Sequence, residues 1–178
     1  MVNCLARLNH SDRTFRIEVL TPQHNRKDFF CGDEALDRYF SERVTQDMRR
    51  RVTVCYVALE TKTGYVAGYY TLSAADIPLN NVPEAMSKHL PRYPTIPVAR
   101  LGRLAADKKF EGHRLGGGLL WDALIRTARS EIAVFALVVD AKNDQAEAFY
   151  RHHGFISFGS IPRQMILPIS QSLLLLSP

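Results

Sequence analysis

What this sequence has little of narrows its chemistry before any motif is read. It contains three cysteines, Cys4, Cys31 and Cys55, an odd number with no metal-ligand spacing. Its six histidines are scattered and form no His/Cys cluster. Disulfides and a zinc site are therefore not expected, no metal is assigned, and a reducing, cytoplasmic compartment fits. Long apolar runs are missing too. Met1-Val-Asn-Cys-Leu-Ala-Arg7 lacks the continuous stretch of a secretory signal, and Leu173-Leu-Leu-Leu176 is far too short to span a bilayer. That tail is expected to pack on the body or on a second subunit. No repeat, low-complexity region or long linker divides the 178 residues, so one domain over 1–178 is expected.

Acidic residues are in deficit: 18 Asp and Glu stand against 23 Lys and Arg, a formal net charge of +5. An excess of this size suits a polyanionic partner, and equally a solvated basic surface. With 46% apolar and 23% charged residues the chain reads as globular and not as disordered.

The apolar spacing sets out the elements. Phe15 to Leu20 alternates like a strand. A helical section begins at Cys31-Gly-Asp-Glu, where Asp33 suits the cap and Leu36, Tyr39 and Phe40 fall at helical spacing; it continues from Arg43 to a basic end at Arg51. Strands are expected over Val52–Leu59 and Tyr65–Ser73, joined by a turn at Lys62-Thr-Gly64, then a short helix over Glu84–Leu90. Pro91-Arg-Tyr-Pro-Thr-Ile-Pro97 is not expected to be a central strand, because three prolines remove ladder donors. Two strand–helix units follow, and Gly154 to Pro168 supplies the last strands. The order β-α-β-β-α-β-α-β-α-β-β predicts an α/β (α+β) fold, a mixed, mostly antiparallel twisted sheet with helices on both faces.

The chemistry lies between Arg100 and Tyr150. Ala99 to Asp107 is an apolar strand, Lys108-Lys-Phe-Glu-Gly-His-Arg-Leu-Gly-Gly-Gly118 a glycine-rich turn, and Leu119 to Arg129 a helical run. Free backbone N–H groups and a helix dipole converge at such a junction, which makes it an anion site. At a fixed distance Ala133 to Val139 runs into Asn143-Asp-Gln-Ala-Glu-Ala-Phe-Tyr150 and closes on Gly154-Phe155. Asn143 is placed to cap its helix.

This order of parts resembles the GNAT acyltransferases, which bind acetyl-CoA at that junction. The resemblance implies a pyrophosphate over Glu111, Gly112, His113, Arg114, Leu115, Gly116 and Gly117. It implies a pantetheine arm along Leu104, Ala105 and Ala106, whose N–H groups would polarise the thioester carbonyl. Asn143, Ala146, Phe149 and Tyr150 match the family's Asn-x-x-Ala-x-x-Phe/Leu-Tyr without a gap. Asn143 would contact the cofactor arm, and Tyr150 would protonate the departing thiolate as general acid. Phe149 reads as core packing. Against the family's Gln/Arg-x-x-Gly-x-Gly/Ala the loop departs twice, with Glu111 in the first place and Arg114 where the first glycine belongs. Arg114 there needs a permissible backbone angle, and would compensate with a direct contact to phosphate.

Separated peptides carry the likeness further, from about Phe29 to Pro168: Phe30 to Phe40, Gly68 to Ala74, Leu90 to Pro94, Leu101 to Ala105 and Val138 to Lys142. They look like the GNAT toxins of bacterial toxin–antitoxin pairs. This implies acetylation of the α-amine of a charged tRNA, a homodimer, a ribbon-helix-helix antitoxin, operator DNA reached only through the antitoxin complex, and no membrane partner. The free α-amine has a pKa of about 7.7–8.0, lowered further by the ester, so no strong base is demanded and none is nominated. Candidate RNA contacts are Arg49, Arg50, Arg51, Arg92, Arg100, Arg103, Lys108 and Lys109. Two alternatives stay open: an acetyltransferase of a protein N-terminus, lysine or small amine, and a non-catalytic CoA-binding module favoured by the altered loop.

Overall fold

A computed structural model of the chain describes residues 14–170. The expectations for Cys4, for the N-terminal stretch and for Leu173–Leu176 lie outside the described residues. Seven strands form one sheet in the order β1-β2-β3-β4-β5-β7-β6. They are β1 Phe15–Val19, β2 Val54–Glu60, β3 Val66–Pro78, β4 Thr95–Ala106, β5 Ala136–Asp140, β6 Ile156–Ser157 and β7 Gln164–Pro168. Only β4 and β5 run parallel; every other neighbouring pair is antiparallel. The helices are α1 Glu34–Arg38, α2 Val44–Arg49, α3 Glu84–Ser87, α4 Leu115–Ala128 and α5 Asp144–His152.

Strand alternation divides the core between two faces. Ala58, Tyr70, Leu101, Leu137 and Leu167 pack with Leu119, Leu120 and Leu124 of α4 and Tyr150 of α5. Their neighbours Val57, Leu59, Tyr69 and Ala105 turn the other way, against Phe40 and Val44 of the helical section. Ile96, Val98, Val138 and Ile166 continue that second face under Leu79, Val82 and Met86. Helices therefore cover both faces, as the element order predicts.

The first helical section holds one irregular turn. Asp33 caps α1, its Oδ1 accepting the Leu36 N–H at 3.0 Å. Tyr39–Arg43 then forms a π-helical turn in which the Val44 N–H reaches back to the Tyr39 carbonyl. The wider turn lets two consecutive residues, Tyr39 and Phe40, both be buried. The Phe40 carbonyl accepts instead from the Arg26 guanidinium.

Several boundaries differ from the expected ones for physical reasons. β2 starts at Val54 and not at Val52, because the Val52 N–H closes the end of α2 on the Asp47 carbonyl. β3 runs five residues past Ser73, paired with β4 as far as Pro78↔Thr95. Pro97 is a correction to the proline rule: it lies within central strand β4, opposite Asp76. Near the strand's start it serves as an acceptor, its carbonyl taking the Phe135 N–H at 2.8 Å. α4 begins at Leu115, so Gly116, Gly117 and Gly118 form its first turn and are not a loop ahead of Leu119.

Candidate active site

Two features of β4 open the site. Between Leu72↔Leu101 and Thr71↔Arg103 the register slips by one residue, leaving Gly102 as a bulge. A side chain there would be crowded, since a Cβ would stand 3.0 Å from Thr71 Oγ1. The parallel pairing with β5 ends at Leu101↔Val139. Among the described residues, the edge of β4 over 102–106 that turns toward β5 has no strand neighbour. Leu104, Ala105 and Ala106 thus offer strand-like backbone groups beside a gap, which an extended amide-bearing chain can pair with.

The glycine-rich turn follows at once. Arg114 is the N-cap residue of α4 with φ 56° and ψ 23°, the left-handed conformation that glycine takes freely. The departure from the family pattern is therefore in residue type and not in backbone path. Among the described residues no side chain caps this fourteen-residue helix, and Gly118 is the first residue whose N–H bonds back, to the Arg114 carbonyl at 3.2 Å. The open N–H groups of Leu115, Gly116 and Gly117, with the positive end of the helix dipole, suit an anion. Gly112, with φ 83°, turns the chain ahead of them, and Glu111 and His113 are exposed beside it. Gly116 faces the Phe149 ring, and Gly117 leaves room for His153 Nε2, which a Cβ would meet at 3.3 Å.

On α5, Asn143 Oδ1 accepts the Ala146 N–H at 2.8 Å, the capping role its position suggests. Tyr150 is 8% exposed, edge-on to Phe149 at 5.2 Å and beside Phe155. Burial pushes its phenol up to about 12. Its hydroxyl makes no hydrogen bond among the described residues, whereas those of Tyr69 and Tyr70 are held by the Leu36 carbonyl and by Asp122. Between α4 and α5 lies a cleft of about 730 Å³, lined by Arg114, Gly117, Trp121, Phe149, His152 and His153. The sequence motifs do not reach Trp121, His152 and His153. Their signal is spacing: 114, 117, 118 and 121 fall on one side of α4, as 149, 152 and 153 do on α5.

The opposite face carries a second cleft, of about 710 Å³, between α1 and β4; its wall includes Asp33, Arg38, Tyr39, Arg43 and Arg103. The Arg103 guanidinium lies 3.4 Å from the centre of the Tyr39 ring. Tyr39 donates to Asp47 at 3.0 Å, and its phenol is pushed up to about 12, by burial first and by that carboxylate second. Lys142, just beyond β5, pairs with Asp33 and holds that carboxyl below its usual range.

The eight basic candidates scatter. Arg103 alone lines this cleft; Lys108 lies over Phe30 and Lys109 over Tyr65. Arg100 pairs with Asp140. Arg49, Arg50 and Arg51 end α2, and Arg51 takes φ 59° there; its N–H bonds to Met48 and that of Val52 to Asp47, a double bond pattern that closes a helix. Arg92 is exposed in the proline loop. Arg38 and Arg43 escape a sequence reading, because inside a helical section they look like a solvated face.

The acetyltransferase (GNAT) family profile matches residues 18–155. A probable toxin TacT of Sinorhizobium fredii is 30% identical over 164 residues, 86% of this chain and 91% of that protein. A tRNA-acetylating toxin of Mycobacterium tuberculosis is 32% identical over 141 residues, covering 78% and 82%. Among solved structures, AtaT complexed with acetyl-methionyl-tRNAfMet superposes with a TM-score of 0.85 at 28% identity, over 92% of this chain and 99% of that one. AtaTR bound with AcCoA gives 0.80 at 26% identity, with the same coverage. The AtaT–AtaR complex bound to DNA gives 0.74 at 28%, over 91% and 99%.

Proposed function

Since the chain belongs to the GNAT acetyltransferase family, we propose that it is a toxin that moves acetyl from acetyl-CoA to the α-amino group of an aminoacyl-tRNA. The observation that carries this reading is the gap at β4, flanked on one face by the uncapped start of α4 and on the other by an arginine-lined cleft. Donor and acceptor then approach one backbone segment from two sides. The likeness to tRNA-acetylating toxins, one of them solved with its acetylated tRNA, supports the choice of amine.

Each group in the site has a task on this reading. The open N–H groups of Leu115, Gly116 and Gly117 take the pyrophosphate, with Gly112 shaping the turn, His113 and Glu111 at its rim and Arg114 adding a charged contact. Trp121, Phe149, His152 and His153 wall the space beside it for the nucleotide end. Leu104, Ala105 and Ala106 pair with the pantetheine amides, and a β4 N–H polarises the thioester carbonyl. Asn143 and Ala146 hold the start of α5, which sets the position of Tyr150. The thioester supplies an acyl group activated toward amine attack. The neutral α-amine forms the new C–N bond, the C–S bond breaks, and one proton passes overall from nitrogen to sulfur. A phenol raised to about 12 stays protonated throughout the physiological range, so Tyr150 is always in its donor form.

The altered loop favours a silent binding module only if it spoils the turn. Arg114 instead adopts the angle a glycine would. The neighbours solved with the antitoxin AtaR and with DNA support neutralisation by an antitoxin, with DNA reached through that complex; a single cytoplasmic domain, a homodimer and a ribbon-helix-helix antitoxin complete the proposal on the sequence resemblance alone. Among the described residues no helix is long and apolar enough to cross a membrane. The test is transfer of labelled acetyl from acetyl-CoA to a pool of charged tRNA, with uncharged tRNA and bulk protein as controls. Label on the charged pool alone is expected; label on protein, or none despite tight acetyl-CoA binding, overturns the reading.

A further inference from the structure

Beside the anion site at the start of α4 stands a side chain whose charge is not fixed. His153 closes α5 as its C-cap residue and lines the cleft of about 730 Å³ with Arg114, Gly117 and Trp121. The half-buried ring is held in one orientation. Its Nδ1 lies 2.8 Å from the Phe149 carbonyl, and the Phe149 ring packs against it at 4.5 Å. A carbonyl oxygen only accepts, so Nδ1 carries a proton in the neutral and in the charged ring alike. The nitrogen that gains and loses a proton is therefore Nε2. That nitrogen faces the first turn of α4, where it would meet a Cβ on Gly117 at 3.3 Å. Gly117 is one of the residues whose N–H groups are left open there.

A charge on Nε2 is balanced between two helix ends. The C-terminus of α5 favours a cation at this position, and the positive end of α4 opposes one. Arg114, in the same cleft, opposes it too. Among the described residues no carboxylate lines the cleft. Glu147 on α5 is engaged by Arg151 at 2.5 Å, and Glu111 stands exposed with His113 in the turn ahead of α4. The remaining titratable neighbour is His152, exposed and edge-on to His153 at 5.2 Å. A bound anion reverses the balance, because it offsets the α4 end and gives an Nε2–H an acceptor. We infer that His153 is a proton-linked contact of the pyrophosphate: Nε2 takes up a proton from solvent as the anion binds, and the cofactor is held more tightly on the acid side of neutrality. The coupling is reciprocal, so the anion strengthens the hold on the proton by the same factor. The inference rests on the reading of this cleft as the acetyl-CoA site, and it gives that site a residue outside both sequence motifs.

The experiment measures binding of dephospho-coenzyme A, which keeps the pyrophosphate and lacks the 3′-phosphate that would itself titrate. Calorimetric titrations run from about pH 5 to about pH 8, the range in which histidine changes charge. They compare the wild type with H153Q, H152Q and H113Q, each checked for folding by its thermal transition. Wild-type affinity is expected to be about three- to tenfold higher at the acid end. H153Q is expected to lose most of that increase, while H152Q and H113Q keep it. NMR titration of the His153 ring in the unsubstituted protein gives a second readout, which stands even if H153Q does not fold. The ring should take up its proton at higher pH with the nucleotide bound than without it. A wild-type affinity that is flat with pH, a full increase kept by folded H153Q, or a ring titration that the nucleotide does not move overturns the inference and leaves the acetyl-CoA reading intact. No binding of dephospho-coenzyme A or acetyl-CoA at any pH overturns that reading, and the inference with it.

Discussion

Tyr150 and Arg114 are where single side chains decide most. Tyr150 is buried, and among the described residues its hydroxyl has no hydrogen-bond partner, so the ring supplies what it gives to the fold there. Tyr150→Phe is expected to keep stability and acetyl-CoA affinity and to lower kcat by about 10²–10⁴. Steady-state kinetics beside a binding isotherm check this; wild-type turnover would remove Tyr150 as the acid. Arg114 holds a left-handed angle that costs a non-glycine residue about 1–2 kcal/mol. Arg114→Gly should therefore raise stability by up to about 1 kcal/mol, the rest being offset by glycine's greater freedom in the unfolded chain. It should also weaken acetyl-CoA binding about tenfold, because one charged partner of the phosphate is gone. Melting and calorimetric titration separate the two; undiminished affinity would give Arg114 a conformational role alone. Asn143 and Tyr150 were legible in the sequence because their motif is local. Arg38 and Arg43 were not, because nothing local tells a groove wall from a solvated face.

At the scale of elements the two halves of the site are joined through Asp107, at the end of β4. Its carboxylate is 1% exposed and accepts three donors. Oδ2 takes the Phe30 N–H at 2.9 Å and the Tyr65 hydroxyl at 3.1 Å, and Oδ1 takes the Lys109 N–H at 2.9 Å. The Lys108 N–H returns to the Phe30 carbonyl. The segment that shapes the arginine-lined cleft is thereby fixed to the turn ahead of α4. Asp107→Ala leaves the Phe30 and Lys109 N–H groups unmatched, while the Tyr65 hydroxyl keeps the Asp28 carbonyl, and should cost about 2–4 kcal/mol, checked by urea unfolding; a loss under about 1 kcal/mol would contradict the joint. The sequence showed the strand and the glycines but not this tie, which spans 77 positions. Nor did it show the π-turn, since Tyr39 and Phe40 fit an ordinary helical face until their joint burial and the Arg26 contact are seen. The start of α4 lies four residues ahead of the expected one for a related reason: three glycines are poor helix formers, and their value here is open backbone near a ligand.

For the whole molecule, element order and two-faced packing were legible because strand alternation and helical spacing act over long stretches. The opening in the sheet was not, since it depends on where β4 and β5 part. The buried thiols and phenols set the response to pH. Burial raises Cys55 from 9.0 to about 12, and Tyr150 from 10.0 to about 12. Each favours the folded state fully below its unfolded value, and that advantage is lost as pH rises toward the folded one. Stability should be flat to about pH 9 and then fall by up to about 1.4 kcal/mol per pH unit for Cys55, more steeply once the phenols join. Unfolding curves from pH 8 to 11 check this, and a flat profile would contradict it. Mass spectrometry shows which nitrogen receives the acetyl group. Charged tRNA treated with the enzyme and acetyl-CoA is digested by nuclease, and the terminal aminoacyl-adenosine is weighed and fragmented. Acetyl on the α-amine of that fragment is the predicted result. Unmodified aminoacyl-adenosine, with acetyl found on protein amines, would contradict the account.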